Sequence, residues 1–572
     1  MRDVSYFTHP LTVPQRRYEA MRAFFVDHLP AKIVAERFGF SAAYLRFLKH
    51  QFRKGKIDFF EPSITGPKQR FKVGADVRKK IVEWRQKQLS AGQIAELLNE
   101  EGIGISIPTV ARVLAEEGFK KLPRRTRLQI GFTVKGAEVP ERSEKITVAQ
   151  LEGKCLESDG AGVFLFAPFI AQFNLDEIVR KAGLPQTKSI SVENYILSFL
   201  ALKLLGTERY AHVDKHSFDE GLGLFTGLNV IPKCTSLSTY SYSLDKSHLM
   251  HLQKAFVQRA KKMGLYDGSV INLDFHTIPH YGEESELEKH WAGARGKVLK
   301  GALTLIAQDA KSKLILYTAA DIKREEADDQ VLEFISFWNK INRGIKPTLV
   351  FDSKLTTYKN LSKINQQGIK FITLRRRGRK LVEEVKNFEP WEHITIPHAK
   401  RKFPNPYVHQ SHVLLRDYDG ELRQVVVKGN GREEPSFLIS NDFDLAVESL
   451  VGDYSCRWRV ENGIAEAVKF FNLNSLSSPI LTKVHFDVVM TMIADTLYNR
   501  LAQQLRGFEE CDAPKIFRDF VRGKGTVDVK NGGITVTYPK RAHNPILRAV
   551  PWHRLPQELP WLDNAKLSLN FK

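Results

Sequence analysis

The sequence predicts a multidomain α/β protein: N-terminal helix-turn-helix modules, then a mixed-sheet domain interrupted by a β-rich insertion. Three observations predict it. Apolar residues recur at spacings of three and four through most of residues 12–262. From residue 268, short apolar β-rich runs alternate with helical stretches, the pattern of an α/β sheet. Between 380 and 437 the helical signal gives way to a polar stretch with strand-like pieces at Ile394–Ile396, His412–Arg416 and Arg423–Lys428.

Taken in order, residues 1–57 and 75–127 read as two helical modules, joined by a basic connector broken by Pro62, Gly66 and Pro67. Residues 145–262 read as a helical domain suited to dimerisation or DNA contact. The mixed-sheet domain is expected over 265–379 and 438–510, on either side of the insertion at 380–437. Residues 511–572 form a C-terminal region, where Thr526–Lys530 and Ile534–Tyr538 flank Asn531-Gly532-Gly533, a hairpin signal.

The chain of 572 residues carries a net charge of +21. Residues 1–130 hold 25 Lys and Arg against 13 Asp and Glu, so more than half of that excess lies in under a quarter of the chain. A surplus so placed favours a polyanion, nucleic acid before membrane. The most apolar helical stretch, Tyr195–Leu205, is interrupted by Lys203 and falls far short of the about 20 residues that span a bilayer. Met1–Pro10 lacks the apolar centre of a signal peptide. Cys155, Cys234, Cys456 and Cys511 lie far apart, which excludes a CxxC zinc module and a disulfide framework and suggests a reduced compartment.

Two segments have the spacing of a helix-turn-helix. In residues 31–50 a small Ala35 stands where helices would cross and Gly39 follows four positions on. Val34, Phe38, Phe40, Leu45 and Leu48 fall at core positions, and Ser41 suits an N-cap. The second helix is expected to present Tyr44, Arg46 and Lys49 to a major groove. In residues 90–117, Ser90 and Gln93 form a capping box, and a longer turn leads to a helix bearing Thr109 and Arg112. Lys54, Lys56, Lys68, Arg70 and Lys72 in the connector are expected to meet phosphates.

Three carboxylates carry the chemistry. Asp274 sits inside the apolar strand Ser269–Phe275, where a lone buried carboxylate is costly without a partner or metal. Asp352 closes the strand Thr348–Phe351 at a strand-to-loop transition, where α/β sheets bind ligands. Glu461 shares a helix face with Tyr454 and Arg457 if Glu448–Phe471 is one helix. Such acids could hold two divalent ions about 4 Å apart for phosphoryl transfer, Mg²⁺ first and Mn²⁺ as substitute.

Together, Asp274, Asp352 and Glu461 resemble the DDE triad of insertion-sequence transposases. The stretch YSCRWRVENGIAEAVKFF is similar to the Tyr-Arg-Glu-Lys (YREK) signature of one large bacterial group of them. The resemblance spans roughly residues 265–505 and implies an RNase H-like catalytic domain. The β-rich insertion falls where the group carries one, within the 109 positions separating Asp352 from Glu461. It further implies Tyr454 and Arg457 on DNA phosphates and Lys469 as the signature lysine. Lys469 stands eight residues after Glu461, where the group has seven, and Val468 holds the expected position. His276 and Arg376 are weaker candidates for DNA contact beside the site. Glu466 rivals Glu461 but lacks the Tyr–Arg context. The resemblance implies double-stranded DNA as partner at transposon ends and target, a homodimer in a synaptic complex, no membrane, and a nucleoid-associated bacterial cytoplasmic location. Two other readings stay open: a non-catalytic DNA-binding regulator, and an RNase H-like nuclease or resolvase without strand transfer.

Overall fold

A computed structural model describes residues 9–10, 12–60, 73–87, 89–120, 122, 140–281, 287–292, 296–376, 378–396, 403–431, 433–475, 478 and 480–572. The chain divides into two compact units, residues 1–137 and 138–572.

The first unit is helical and holds two three-helix groups. In the first group, α1 (Val13–Phe25), α2 (Ala31–Phe38) and α3 (Ala42–Arg53) enclose Ala20, Val34, Ala35, Phe38, Leu45 and Leu48. The Ser41 hydroxyl accepts the Tyr44 amide and starts α3. Gly39, at φ +66°, ends α2 in the left-handed region, and the Phe40 amide donates back to the Ala35 carbonyl. Ala35 is buried within α2, and Gly39 makes the turn into the residues before α3.

In the second group, α4 (Ala75–Gln86), α5 (Ala91–Glu100) and α6 (Ile107–Glu116) enclose Ile81, Ile94, Leu98, Val110 and Val113. The Ser90–Gln93 capping box is complete in both directions. Asn99 closes the longer turn by donating to the Ala95 and Ile105 carbonyls and accepting the Ile105 amide.

The second unit is built on a mixed sheet. β2 (Val270–Pro279) lies at its centre. On one side β2 pairs antiparallel with β4 (Lys297–Asp309), which carries β3 (Lys289–Ala292) at one end and β5 (Ile315–Ile322) along its other edge. On its other side β2 pairs parallel with β6 (Thr348–Phe351), and β6 pairs parallel with β7 (Lys370–Leu374). The helices α9 (Gln330–Ile341) and α10 (Tyr358–Gln366) make the crossovers that parallel strands require. α9 buries Phe334, Phe337 and Trp338.

Past β7 and the short helix α11 (Arg379–Glu384), the strand-like stretch forms β8 (Glu392–His393), β9 (Tyr407–Leu414), β10 (Glu421–Lys428) and β11 (Ser436–Ser440). All pair antiparallel, and β11 pairs with β7, so these strands extend the same sheet instead of forming a separate one.

Two expectations need correction. The segment Glu448–Phe471 is two helices, α12 (Val447–Cys456) and α13 (Trp458–Lys469), divided at Arg457. There the Arg457 amide donates to Tyr454 and the Val460 amide to Arg457, tighter i,i+3 bonds that interrupt the α-helical ladder. Nor is the stretch 145–262 wholly helical. It contains β1 (Cys155–Ser158), which pairs with β12 (Gly525–Lys530). With β13 (Gly533–Tyr538), β14 (Glu558–Leu559) and β15 (Ala565–Phe571) they form a second sheet in the order β1-β12-β13-β15-β14. Asn531 and Gly532, both at positive φ, make the expected β12–β13 turn.

The helices α7 (Val192–Leu204), α8 (Lys246–Lys262) and α14 (Leu481–Ala502) supply the core behind the sheet. α7 and α14 are buried almost all round, so the apolar run of α7 is used inside this unit. Lys203 of α7 bonds the Asp487 carboxylate and the Phe471 carbonyl, the partners a buried ammonium needs. Among the described residues no single helix is long and apolar enough to cross a membrane.

Candidate active site

β2 and β6 fix the first two acids. Their parallel register pairs Leu273 with Phe351, so Asp274 and Asp352 are the residues that follow the last paired positions of the two neighbouring strands. Alternation along β2 puts Asn272, Asp274 and His276 on one face, which α13 covers. The third acid comes from α13, where Glu461 lies one turn past the break at Arg457.

Arg457 joins the pieces. Its guanidinium donates to the Asp274 carboxylate at 3.1 Å and to Glu461 at 2.6 Å. It also lies 5.8 Å from the Tyr454 ring centroid. The Arg457 side chain is 12% exposed and that of Asp274 20%, so this ion pair is shielded, while Glu461 is half-exposed. Arg457 is therefore the residue that links strand and helix, and the pairing of Arg457 with Asp274, 183 positions away, gave no sequence signal.

Burial pushes Asp274 up to about 6; the nearby Glu461 and Asp352 charges push the same way and Arg457 opposes them. Burial alone would lower the Arg457 pKa, but Tyr454, Asp274, Glu461 and Asp352 outweigh it and raise the value above its ordinary range. The cluster holds more negative charge than one guanidinium neutralises. Among the described residues, no three His, Cys, Asp or Glu side chains are already gathered as a metal cage. The donor set nonetheless suits a hard divalent cation, because it is all carboxylate oxygen and its most buried member is costly as a bare anion.

The surrounding residues brace this centre. Asp352 accepts the Ser353 hydroxyl at 3.2 Å, and its carbonyl accepts the Leu355 amide. Arg376 donates to the carbonyls of Ser353 and Thr356, and its amide donates to the Tyr358 hydroxyl. Arg376 thus clamps the loop that follows Asp352. His276 Nε2 is 2.8 Å from Asn474 Oδ1, and burial lowers its pKa. The pair ties β2 to the segment after α13, which Asn472 anchors further on the Gly206 carbonyl. Asn272 is fully buried, and neither side-chain amide atom has a protein hydrogen-bond partner.

Of the remaining expected residues, Lys469 ends α13 and is exposed, and Val468 beside it packs on the core. Glu466 turns the other way and accepts the Ala513 amide at 2.6 Å. In the first unit Arg46, Lys54, Lys56 and Arg112 are exposed. Tyr44 and Lys49 are half-buried: Tyr44 packs beside Phe40 and under Arg17, and Lys49 lies over the Phe24 ring at 4.2 Å. The Thr109 hydroxyl pairs with that of Ser106. Lys68, Arg70 and Lys72 lie outside the described residues.

Residues 265–497 match the family model described as the transposase DDE domain. The matched span contains Asp274, Asp352, Arg457 and Glu461. No curated protein matches the chain. The match supports a DDE transposase, a class that acts on DNA and generally uses divalent metal ions.

Proposed function

We propose that the chain is a DDE-type transposase of the YREK-bearing insertion-sequence group. In this reading the two three-helix groups are helix-turn-helix modules that bind the terminal inverted repeats of a mobile element. The sheet domain hydrolyses a strand at each end and joins the freed 3′-hydroxyl to target DNA, with two ends held in a dimeric synaptic complex. The observation that carries it is the juxtaposition of Asp274 and Asp352 on neighbouring parallel strands with the Arg457–Glu461 pair of a covering helix. The order β5-β4-β2-β6-β7, antiparallel then parallel, supports an RNase H-like core.

Asp274, Asp352 and Glu461 would hold Mg²⁺ or Mn²⁺, which supplies Lewis acidity at the phosphate and a more acidic attacking hydroxyl. The chain's own contribution is placement. The β2–β6 register sets the spacing of the two aspartates. Arg376 holds the loop beyond Asp352, and the His276–Asn474 contact holds β2 against the segment that follows α13. Arg457 keeps Glu461 over the strand pair and is a guanidinium of the kind that binds phosphate oxygens in pairs. Tyr454 and Lys469 would extend that grip along the strand. The pathway requires protein groups to hold DNA in line with the acids, the positional part of phosphoryl-transfer catalysis.

The test is cleavage of DNA bearing the element's own terminal repeats, by wild type and Asp352→Ala, with Mg²⁺ and with EDTA. Metal-dependent nicking at the repeat end, lost in the variant while binding persists, is expected. Site-specific binding with no cleavage in any metal would instead mark a DNA-binding regulator.

A further inference from the structure

The first three-helix group exposes an aromatic side chain where a DNA-reading helix would need a reason to have one. In α3, Leu45 and Leu48 are 2% and 1% exposed and define the inward face. At 100° per residue, the opposite face carries Ala43, Arg46, Phe47 and His50. Phe47 is 54% exposed. Tyr44 lies beside it, ring centroids 6.2 Å apart, and is itself held by Phe40 and Arg17. Phe47 is thus a buttressed ring projecting from the helix.

The same helix supplies the charge that selects the partner. Arg46 and His50 flank Phe47 on the outward face, and the exposed Arg53 and Lys54 follow at its end. An apolar contact with arginine and lysine side chains beside it suits a ligand that is anionic outside and apolar at one point within. Duplex DNA has one such point in its major groove, the 5-methyl group of thymine, and Ala and Phe side chains are its usual partners. The first residues of a recognition helix are those that reach base edges, and Ala43 and Phe47 are the second and sixth of α3. The outward face has no Asn or Gln for adenine, and the Arg46 Nε donates to the Ala42 carbonyl.

We propose that Phe47, with Ala43, makes this module read thymine through its methyl group, so that Phe47 is a specificity residue for the terminal site. The inference rests on the DNA-binding reading of the module.

The experiment selects binding sites for the full-length chain from a random duplex pool. It then replaces each thymine of the selected site with deoxyuridine, one position at a time. Removing one buried methyl is expected to weaken binding about fourfold. At least one position should show that loss for wild type. Phe47→Ala should bind the thymine and uracil duplexes equally at that position, while Phe47→Leu, still apolar, keeps part of the ratio. Binding of a non-specific duplex should be the same for all three proteins, which separates lost reading from lost folding. A selected site insensitive to deoxyuridine throughout would overturn the proposal and leave DNA binding standing. So would an undiminished ratio in Phe47→Ala. A changed oligomeric state with the ratio intact would assign Phe47 to a contact between copies. Failure of wild type to bind any duplex would overturn the DNA-binding reading together with the inference.

Discussion

Two regions of this molecule solve different assembly problems. The first three-helix group closes its core from residues within a stretch of 29 positions, Ala20 to Leu48. The acid centre draws on Asp274, Asp352 and Arg457–Glu461, and its ion-paired Asp274 and Arg457 stand 183 positions apart. The first depends on local spacing, so each helix can be identified beside its neighbour. The second depends on strand register and on a helix returning from beyond a four-strand excursion. Local assembly leaves the module sensitive to single core changes. Long-range assembly leaves the acid centre sensitive to charge while the large core around it holds the fold.

The strongest break in that comparison is Asp274→Asn. In the centre it removes an oxygen donor and the anion that Arg457 bonds, and cleavage should fall by on the order of 10³-fold or more. Folding should survive, because a buried carboxylate pushed up to about 6 favours its neutral form and Asn resembles that form. Cleavage kinetics and thermal unfolding on one preparation test both parts. Loss of fold together with activity would place Asp274 in the stability of the sheet.

Next comes Leu48→Ala. Leu48 is 1% exposed in a core of eight buried side chains, so truncation should cost about 3 kcal/mol. A core that small has little room to redistribute the loss. Hydrogen exchange should show the amides of α2 and α3 losing protection while β2, β6 and α14 keep theirs. Equal loss in both units would show that the modules do not melt alone.

These expectations also show what was legible in the sequence. Ala35, Gly39 and the Ser90–Gln93 box were readable because each acts over a few residues by backbone geometry. The strands bearing Asp274 and Asp352 were readable from their apolar runs, and their adjacency follows from parallel pairing. The break at Arg457 was not, because α-helical periodicity continues across it and only the pull of Asp274 distinguishes the residue. The β1–β12 pairing joins positions more than 360 apart, for which no local pattern exists. Lys49 and Tyr44 were expected outward from charge and polarity, yet the aromatic rings of Phe24 and Phe40 draw them down. Nothing local marks Phe47 as outward, because an apolar residue on an amphipathic helix ordinarily belongs to the buried face.

A pH titration sharpens the contrast further. Asp274 has a folded pKa of about 6, above its ordinary value near 4. The sign follows from proton uptake: the folded state binds the proton more tightly. Its contribution to stability is fully present below about pH 4 and is lost as pH rises through about 6. Metal-free wild type should therefore lose about 2 kcal/mol between those limits relative to Asp274→Asn, which lacks the titration. Divalent cation should reduce the loss by favouring the anion. Urea unfolding at pH 4.5, 6 and 7.5, with and without Mg²⁺, reads it. A parallel pH response in the two proteins would remove the assigned shift.

The smallest effect tests the local side of the contrast. In Ser90→Ala the Gln93 amide loses its side-chain acceptor at the start of α5, while the backbone amide of residue 90 still donates to the Gln93 side-chain oxygen. The cost should be about 1 kcal/mol, within the usual range for an N-cap. It should appear as faster exchange at the first turn of α5 and a lower melting point for the second module. Joining of pre-nicked ends to target DNA by the sheet domain, measured at protein concentrations that saturate end binding, should be unchanged. If the cap and the acid centre did respond together, the modules and the sheet domain would share one cooperative unit, and the division between local and long-range assembly would not extend to their stability.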